Sequence, residues 1–334
     1  QKHVLEDSTA AWQKAADATV ADDLYWRLSA TVPAGLTAYD TYSVRFVDTM
    51  SAGLDPSKVA ASMRVYAAAG ADGGFDAVST GRDGRAGTEP AKGWTDITAQ
   101  CATKVAADGT FTVRTGDLIA ALGGADAFAA GARVVAVYDA PLGANCNRGA
   151  TKGNPNEVCL RYPRSPLADQ SGDAGFTRTS SDDATAYTWG LSLIKRSSSD
   201  DKPLAGAKLR IVDDRGRALS ADGTWSTDAD ACIVTDKGGC VELNGVDAGV
   251  YTVEEVAAPK GYTAFEGKRT VTVTAEGLDV KQVATAKPKV TVSVESPLRV
   301  DAADAGTGSI ELSVLNAPSK EASRGFMPST GDRT

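Results

Sequence analysis

The stretch from Tyr251 to Tyr262, YTVEEVAAPKGY, constrains the fold more than any other part of the sequence. Its first half alternates with a period of two residues, so Tyr251, Val253 and Glu255 share one face of a half-buried strand. The Pro-Lys-Gly sequence that follows predicts a turn. Because Glu255 continues an apolar face, its carboxyl group is expected in the interior, where a lone charge is costly unless it is protonated or paired.

Two other predicted strands end their apolar faces in the same way. Lys195 follows two in-phase leucines in GLSLIK, and Asn316 follows Leu312 and Val314 in ELSVLN. If the strands are neighbours, the three polar groups meet in a dry interior, where burial lowers the pKa of an amine and raises the pKa of a carboxyl group. A neutral amine is a nucleophile, and a carboxylic acid can polarise an amide carbonyl and transfer protons. The pattern predicts a Lys195–Asn316 amide, formed once with loss of ammonia and assisted by Glu255.

Three segments now point to a known family. KRSSSDDKPLAGAKLRI, TDKGGCVELNGVDAGVYTVEEVAAPKGY and the C-terminal MPSTG resemble sortase-assembled pilin subunits of Gram-positive bacteria. Glu255 falls on the glutamate of that family's E-box. MPSTG resembles the LPxTG sorting signal, with methionine in place of leucine, and comprises Met327, Pro328, Ser329, Thr330 and Gly331.

The resemblance to a sorting signal implies a polymerisation chemistry. A sortase would cleave after Thr330 and join its carbonyl group to a lysine amine. Such a signal is normally followed by an apolar segment and a basic tail, whereas this sequence stops at Thr334. We therefore expect a trimmed portion of a longer secreted precursor, with the acceptor lysine in a missing N-terminal part.

The first half of the chain repeats the pattern of inward polar groups. Lys2 lies near its start, Asp48 ends an apolar face in the middle, and Asn156 shares a face with apolar residues near its end. SVRFVDTMSAGL resembles the middle pilin domain of the same family, where an acid assists a Lys–Asn link. The resemblance implies a Lys2–Asn156 bond with Asp48 as the acid, and Lys14 is an alternative source of the amine.

Strand-like segments separated by Gly, Asp and Pro turns predict an all-β class. The resemblance refines this to two tandem immunoglobulin-like (Cna-type) β-sandwich domains with intramolecular isopeptide bonds. Residues 70–100 are rich in loop signals and predict a surface excursion. The predicted divisions are a middle pilin domain with loop insertions at 1–172, a linker at 173–186, a CnaB-like domain with the E-box at 187–318, and a flexible tail with the sorting motif at 319–334.

Five cysteines fit an oxidising compartment. Cys232 and Cys240 flank one turn, and Cys146 and Cys159 flank a polar loop, so each pair is a disulfide candidate that leaves Cys101 over. The alternative is that some are reduced and buried, because spacing alone does not fix connectivity.

Charge and motifs exclude several function classes. A net charge of −8 without a basic cluster argues against nucleic acid and against an electrostatic membrane contact. We find no apolar segment of membrane-spanning length, no phosphate loop, no metal-ligand spacing and no Ser/His/Asp set. No cofactor or metal is therefore expected, and no enzymatic activity except autocatalytic bond formation.

The function implied by these features is structural. We expect a shaft subunit of a covalent, cell-wall-anchored fimbria that supports adhesion, with sortase and neighbouring pilin subunits as partners. The alternative is a tip or base adhesin that binds host or bacterial surface glycans, for which residues 70–100 are the candidate surface. A secreted enzyme is a third reading, without a catalytic constellation to support it.

Overall fold

The structure is a computed structural model that describes residues 1–81 and 83–319, and its regular secondary structure is almost entirely β-strand. This confirms the predicted all-β class. No helix in these two ranges is long and apolar enough to cross a bilayer. The chain divides into two compact units. The first comprises Gln1–Asn147, Lys152–Tyr187 and Gly277–Lys287, and the second comprises Arg148–Thr151, Thr188–Glu276 and the described residues from Pro288 onward.

The first unit is a β-sandwich of two sheets, ordered β2-β1-β4-β10-β6-β7 and β3-β13-β11-β5-β9-β8, with β12 paired to β11. Apolar side chains from both sheets, including Trp26, Phe46 and Phe111, are buried between them in one core. The strands are β1 Lys2–Glu6, β2 Ala11–Gln13, β3 Ala15–Asp17, β4 Tyr25–Val32, β5 Arg45–Met50, β6 Arg64–Ala69, β7 Thr95–Asp96, β8 Ala102–Val105, β9 Thr110–Arg114, β10 Ala132–Asp139, β11 Asn154–Pro163, β12 Phe176–Arg178 and β13 Asp182–Tyr187.

Short helices connect some of these strands. Asp117 accepts a hydrogen bond from the Ile119 amide and so caps the helix Leu118–Ala121. The helices of the first unit are α1 Val59–Ser62, α2 Leu118–Ala121 and α3 Ala125–Ala129, with 3₁₀ turns at Pro56–Lys58, Thr98–Gln100 and Val283–Thr285.

Residues 70–100 are mostly loop and mostly exposed or half-buried, as predicted, but part of the segment packs back against a sheet. Ala77 and Val78 are buried in a small apolar cluster with Tyr66 of β6 and with Val135 and Val137 of β10. The segment therefore covers the outer face of one sheet. Its apolar residues are too few and too irregularly spaced to show a period, which is why the sequence pattern did not indicate this packing.

The predicted linker at 173–186 contains two strands of the first unit, β12 and β13. Both pair with β11, and β13 also runs parallel to β3. The prediction failed because the segment is rich in Asp, Thr and Ser, whereas its apolar residues, such as Phe176, Ala184 and Ala186, are too few to outweigh that composition. The first unit thus extends to Tyr187.

The second unit is also built from two sheets, ordered β19-β14-β25-β21 and β17-β16-β15-β20-β22-β23, with β24 paired to β25 and β18 to β15. Its first and last strands, β14 and β25, are parallel neighbours. The strands are β14 Trp189–Ser197, β15 Lys208–Val212, β16 Ala218–Leu219, β17 Trp225–Ser226, β18 Ile233–Val234, β19 Cys240–Val246, β20 Gly249–Ala257, β21 Tyr262–Thr263, β22 Lys268–Glu276, β23 Lys289–Val294, β24 Leu298–Asp304 and β25 Ser309–Pro318.

Candidate isopeptide sites

The structure brings Lys195, Glu255 and Asn316 together in the core of the second unit. Lys195 lies on β14 and Asn316 on β25, with the two strands in parallel register. Glu255 lies on β20, in the opposite sheet. Lys195 and Asn316 are no more than 1% exposed, and Glu255 is 6% exposed. The inward direction of each residue follows from the period of two along its strand.

The hydrogen bonds of this triad form a closed set. The Lys195 ammonium donates to Glu255 Oε2 at 2.9 Å and to Asn316 Oδ1. Asn316 Nδ2 donates to Glu255 Oε1 at 2.7 Å. One carboxyl group therefore contacts both the amine and the amide nitrogen, while the amine already lies against the carboxamide that it would attack.

The turn after β20 completes the surroundings of Glu255. Gly261 has a φ of +88°, a conformation that residues with a side chain rarely adopt. The turn leads to Phe265, whose amide donates to Glu255 Oε2 at 3.0 Å. Its ring lies 5.0 Å from the Lys195 ammonium. The Pro-Lys-Gly turn that appeared in the sequence as a strand breaker thus positions an apolar cover over the site.

Burial has a direct chemical consequence for Lys195. Loss of hydration lowers the pKa of its amine below the usual value, and the hydrogen bond and charge of Glu255 oppose that shift only in part. A lowered pKa favours the neutral amine, which is the form that attacks a carbonyl carbon.

A second set of buried polar groups lies in the first unit, and it spans the two sheets. Lys2 is on β1 in one sheet. Asp48 is on β5 and Asn156 is on β11, and these two strands pair with each other in the other sheet. All three are fully buried. The Lys2 ammonium donates to Asp48 Oδ2. Asn156 is not on the last strand of this unit, because β12 and β13 follow it, so a link here would not join the first and last strands as it would in the second unit.

Tyr138 on β10 is the fourth member of this set, and the sequence analysis missed it. Its hydroxyl group accepts from Lys2 Nζ at 2.9 Å and from Asn156 Nδ2 at 2.9 Å, and it donates to Asp48 Oδ2 at 3.3 Å. The signal available in the sequence was its phase, because Val134, Ala136 and Tyr138 share a buried face of the strand ARVVAVYDA. A tyrosine at the end of an apolar face is common in cores, so the pattern alone did not indicate a role.

The pKa values of Lys2 and Asp48 are both shifted in the direction that favours transfer of a proton from the lysine to the aspartate. Burial lowers the pKa of Lys2 to about 8, although Asp48 beside it raises it. Burial raises the pKa of Asp48 to about 6, with Lys2 opposing the shift. The two groups are therefore much closer in acidity than a lysine and an aspartate in water.

Lys14, the alternative amine, lies outside this set. Its ammonium donates to both carboxylate oxygens of Asp182, at 2.6 and 2.7 Å, and to the carbonyl oxygens of Lys2 and Asp183. These contacts tie β13 to β1, so the geometry favours Lys2 over Lys14 as the amine near Asn156.

The other predicted sites are the two cysteine pairs and the sorting motif. None of the five cysteines forms a disulfide in the structure, so the pairings Cys232–Cys240 and Cys146–Cys159 are absent. Both pairings rested on spacing across a loop, which does not bring the two sulfur atoms within bonding distance by itself. The sorting motif Met327–Gly331 lies outside the described residues. Among the residues that are described, no group of three or more His, Cys, Asp or Glu side chains could hold a metal ion.

The chain is similar to a domain family, to a protein of related sequence and to several solved structures. Residues 190–288 match the SpaA prealbumin-like fold domain. The chain is 28% identical over 120 residues, 34% of its length, to the trypsin-resistant surface T6 protein of Streptococcus pyogenes serotype M6. That match spans 20% of the T6 protein.

Solved structures share the fold over almost the whole chain. The group B streptococcus pilus 2b backbone protein has a TM-score of 0.55 at 17% identity, covering 92% of this chain and 97% of that one. The T6 backbone pilin of S. pyogenes serotype M6 has a TM-score of 0.54 at 16% identity, covering 96% and 70%. Domains D2 and D3 of the major pilin SpaD from Corynebacterium diphtheriae have a TM-score of 0.51 at 14% identity, covering 95% and 98%. Residues 190–288 thus resemble a SpaA prealbumin-like fold domain, and the chain as a whole has the fold of solved pilus backbone proteins.

Proposed function

We propose that the chain is a structural shaft subunit of a covalent surface pilus, in which each unit is closed by an amide bond between its own lysine and asparagine. The observation that carries the proposal is the presence, in both units, of a buried lysine in contact with a carboxyl group. In the second unit the lysine also contacts the asparagine carboxamide, and in the first unit the two share the Tyr138 hydroxyl group as a hydrogen-bond partner. The names of the similar proteins, which are pilus backbone proteins and a surface protein, support the shaft role.

In the second unit the proposed reaction needs no group beyond the triad. Glu255 first takes one proton from the Lys195 ammonium. The neutral amine then attacks Cγ of Asn316, the new C–N bond forms, and the bond from Cγ to Nδ2 breaks. Glu255 accepts a proton through Oε2, which contacts the amine, and supplies one through Oε1, which contacts the departing nitrogen. Ammonia leaves, and the site reacts once.

A contribution to stability does not readily explain why each unit buries a lysine, a carboxyl group and an asparagine. A buried ion pair costs several kcal/mol of desolvation per ion, and an apolar replacement is often as stable. Conversion of the pair and the carboxamide into a neutral amide removes the buried positive charge permanently. The arrangement therefore fits a group of reactants better than it fits a stabilising salt bridge.

The proposal extends to polymerisation and location. A sortase would join the Thr330 carbonyl group to a lysine of a neighbouring subunit, so that tension passes through every chain of a fibre anchored to the cell wall. This part is supported by the MPSTG sequence and by the pilus backbone proteins that share the fold.

The proposal is tested by mass. The intact mass of the purified chain, measured after reduction, should fall below the sequence mass by one ammonia for each of two links. A digest should contain branched peptides that join the segments around Lys2 and Asn156 and around Lys195 and Asn316. A full sequence mass, with only linear peptides in the digest, would contradict the proposal.

A second test uses pH in a chain that cannot form the first link. In Asn156→Ala, the folded state holds Lys2 with a pKa of about 8, against 10.5 in the unfolded chain. Between these values the unfolded chain binds the extra proton, so the free energy of unfolding should rise with pH, by roughly 3 kcal/mol in total. Urea titrations at pH 7.5, 9 and 10.5 measure the change.

The control for this test is the double variant Lys2→Met with Asn156→Ala, which retains all other titrating groups, including Asp48 and Tyr138. The free energy of unfolding should not rise with pH in the double variant, because it has no amine at position 2. It should not rise in the linked parent chain either, because an amide nitrogen does not titrate in this range. An equal rise in all three proteins would show that Lys2 is not the titrating group.

A further inference from the structure

The hydroxyl group of Tyr138 lies between the two reacting groups of the first unit. It is within 2.9 Å of Lys2 Nζ and within 2.9 Å of Asn156 Nδ2, and it also contacts Asp48 Oδ2. The two nitrogen atoms are therefore joined by one bridging oxygen atom. That oxygen is fully buried, so bulk water does not compete for its hydrogen bonds.

The two units differ in what contacts the carboxamide. In the second unit Glu255 hydrogen-bonds both Lys195 and Asn316. In the first unit Asp48 Oδ2 contacts Lys2 and Tyr138, and the buried Asp48 Oδ1 has no hydrogen-bond partner among the described residues. The group that reaches the nitrogen of Asn156 is Tyr138. A carboxyl group performs both contacts in one unit, and an acid and a phenol divide them in the other.

We propose that Tyr138 is a catalytic residue for the formation of the Lys2–Asn156 bond and carries a proton from the attacking amine to the departing ammonia. The inference rests on the proposed function, because it assigns a role within the same self-reaction.

The proton count of the step closes with the groups present. Asp48 first takes one proton from the Lys2 ammonium, which leaves a neutral amine. Nζ then attacks Cγ of Asn156, which restores the lone pair of Nδ2. The Tyr138 hydroxyl group turns from the now protonated Asp48 towards Nδ2 and passes its proton to that nitrogen, while a second proton passes from Nζ to the Tyr138 oxygen. The bond from Cγ to Nδ2 breaks and releases ammonia. The amide is formed, Tyr138 is again a neutral phenol and Asp48 is a neutral acid, so no outside reagent is required.

The surroundings hold Tyr138 in the form and position that this role needs. Burial raises the pKa of its hydroxyl group well above the usual value, so the group remains protonated and able to donate. Its ring meets Phe111 edge to face, with centroids 4.9 Å apart. Because β10 pairs with β4 along its whole length, the backbone that carries Tyr138 is fixed as well.

The test follows bond formation in time. The full chain is made by cell-free translation, samples are stopped in denaturant, and the fraction of branched Lys2–Asn156 peptide is measured by mass spectrometry. Tyr138→Phe removes only the hydroxyl group and should slow the first link by about 100-fold, the lower range for loss of a general acid–base group. The Lys195–Asn316 link in the same molecules should form at the parent rate.

The matched control is Tyr66→Phe. Tyr66 is also fully buried in the first unit, but its hydroxyl group donates to the Thr88 carbonyl oxygen, away from the reacting groups. This variant should form both links at the parent rate. Equal slowing in the two variants would show a general effect of losing a buried hydroxyl group and would overturn the proposal.

A second substitution keeps the hydroxyl group and changes only its acidity. Site-specific 3-fluorotyrosine at position 138 makes the phenol a stronger acid and should change the rate of the first link severalfold, which a purely structural hydroxyl group would not do. A parent rate with either Phe or fluorotyrosine at position 138 would overturn the role of Tyr138 alone. Absence of the branched peptide from the parent chain would instead overturn the proposed function.

Discussion

Glu255→Ala is expected to leave Lys195 and Asn316 unjoined and to lower the melting temperature of the second unit by roughly 20 °C or more. A cross-link that closes a loop of about 100 residues stabilises by about 4.7 kcal/mol in the chain-entropy description. For a domain of this size 1 kcal/mol corresponds to roughly 2–8 °C. Loss of the acid also leaves Lys195 buried without its partner, which costs a further 3–5 kcal/mol or so. Calorimetry together with intact mass measures both effects.

Asn316→Ala separates the two contributions. It removes the electrophile but retains the contact between Lys195 and Glu255, so it should lose the link with a smaller drop in melting temperature than Glu255→Ala. The first unit should keep its own link in both variants and serves as an internal reference. A second unit that still loses one ammonia in Glu255→Ala would contradict the role assigned to the acid.

Under tension, the two units are expected to respond differently. If handles pull on residues 1 and 319 of the linked chain, force passes from Lys195 directly to Asn316, and residues 196–315 carry no load. The second unit should therefore show almost no extension. In the first unit force passes from Lys2 to Asn156, which leaves residues 157–187 loaded. This segment should peel away and lengthen the chain by roughly 100 Å, at about 3.3–3.6 Å per residue.

Single-molecule force spectroscopy measures these lengths. Asn316→Ala should add an extension of roughly 400 Å from the second unit at the same length per residue. The short step from the first unit should persist in that variant and provides the control. A linked parent chain that shows the long step, or a first unit that shows no step, would contradict the assigned load path.

The period of two along the strands allowed much of the second site to be predicted. Lys195, Glu255 and Asn316 each end an apolar alternation, and a strand places alternate residues on one face, so their inward direction could be inferred without a structure. Lys2, Asp48 and Asn156 were inferred in the same way, with additional support from the resemblance. The boundary of the first unit was not predictable, because β12 and β13 are short and lie in a segment with the composition of a linker.

The sequence pattern could not predict which residues on different strands or loops come into contact. Alternation states which face of a strand a residue occupies but not which strand faces it, and loop spacing did not bring the proposed cysteine pairs together. The packing of Ala77 and Val78 within residues 70–100 was not predictable for a related reason, since these side chains are buried only because an adjacent sheet face is available.

The sequence by itself determined that polar groups capable of forming an amide point inward in both halves of an all-β chain. Only the tertiary structure decided that the second link would join parallel neighbouring strands, that the first would cross between two sheets, and that Tyr138 stands between Lys2 and Asn156. The reason is that facing direction is a local property of a strand, whereas the distance between groups on different strands depends on how the sheets order and stack their strands.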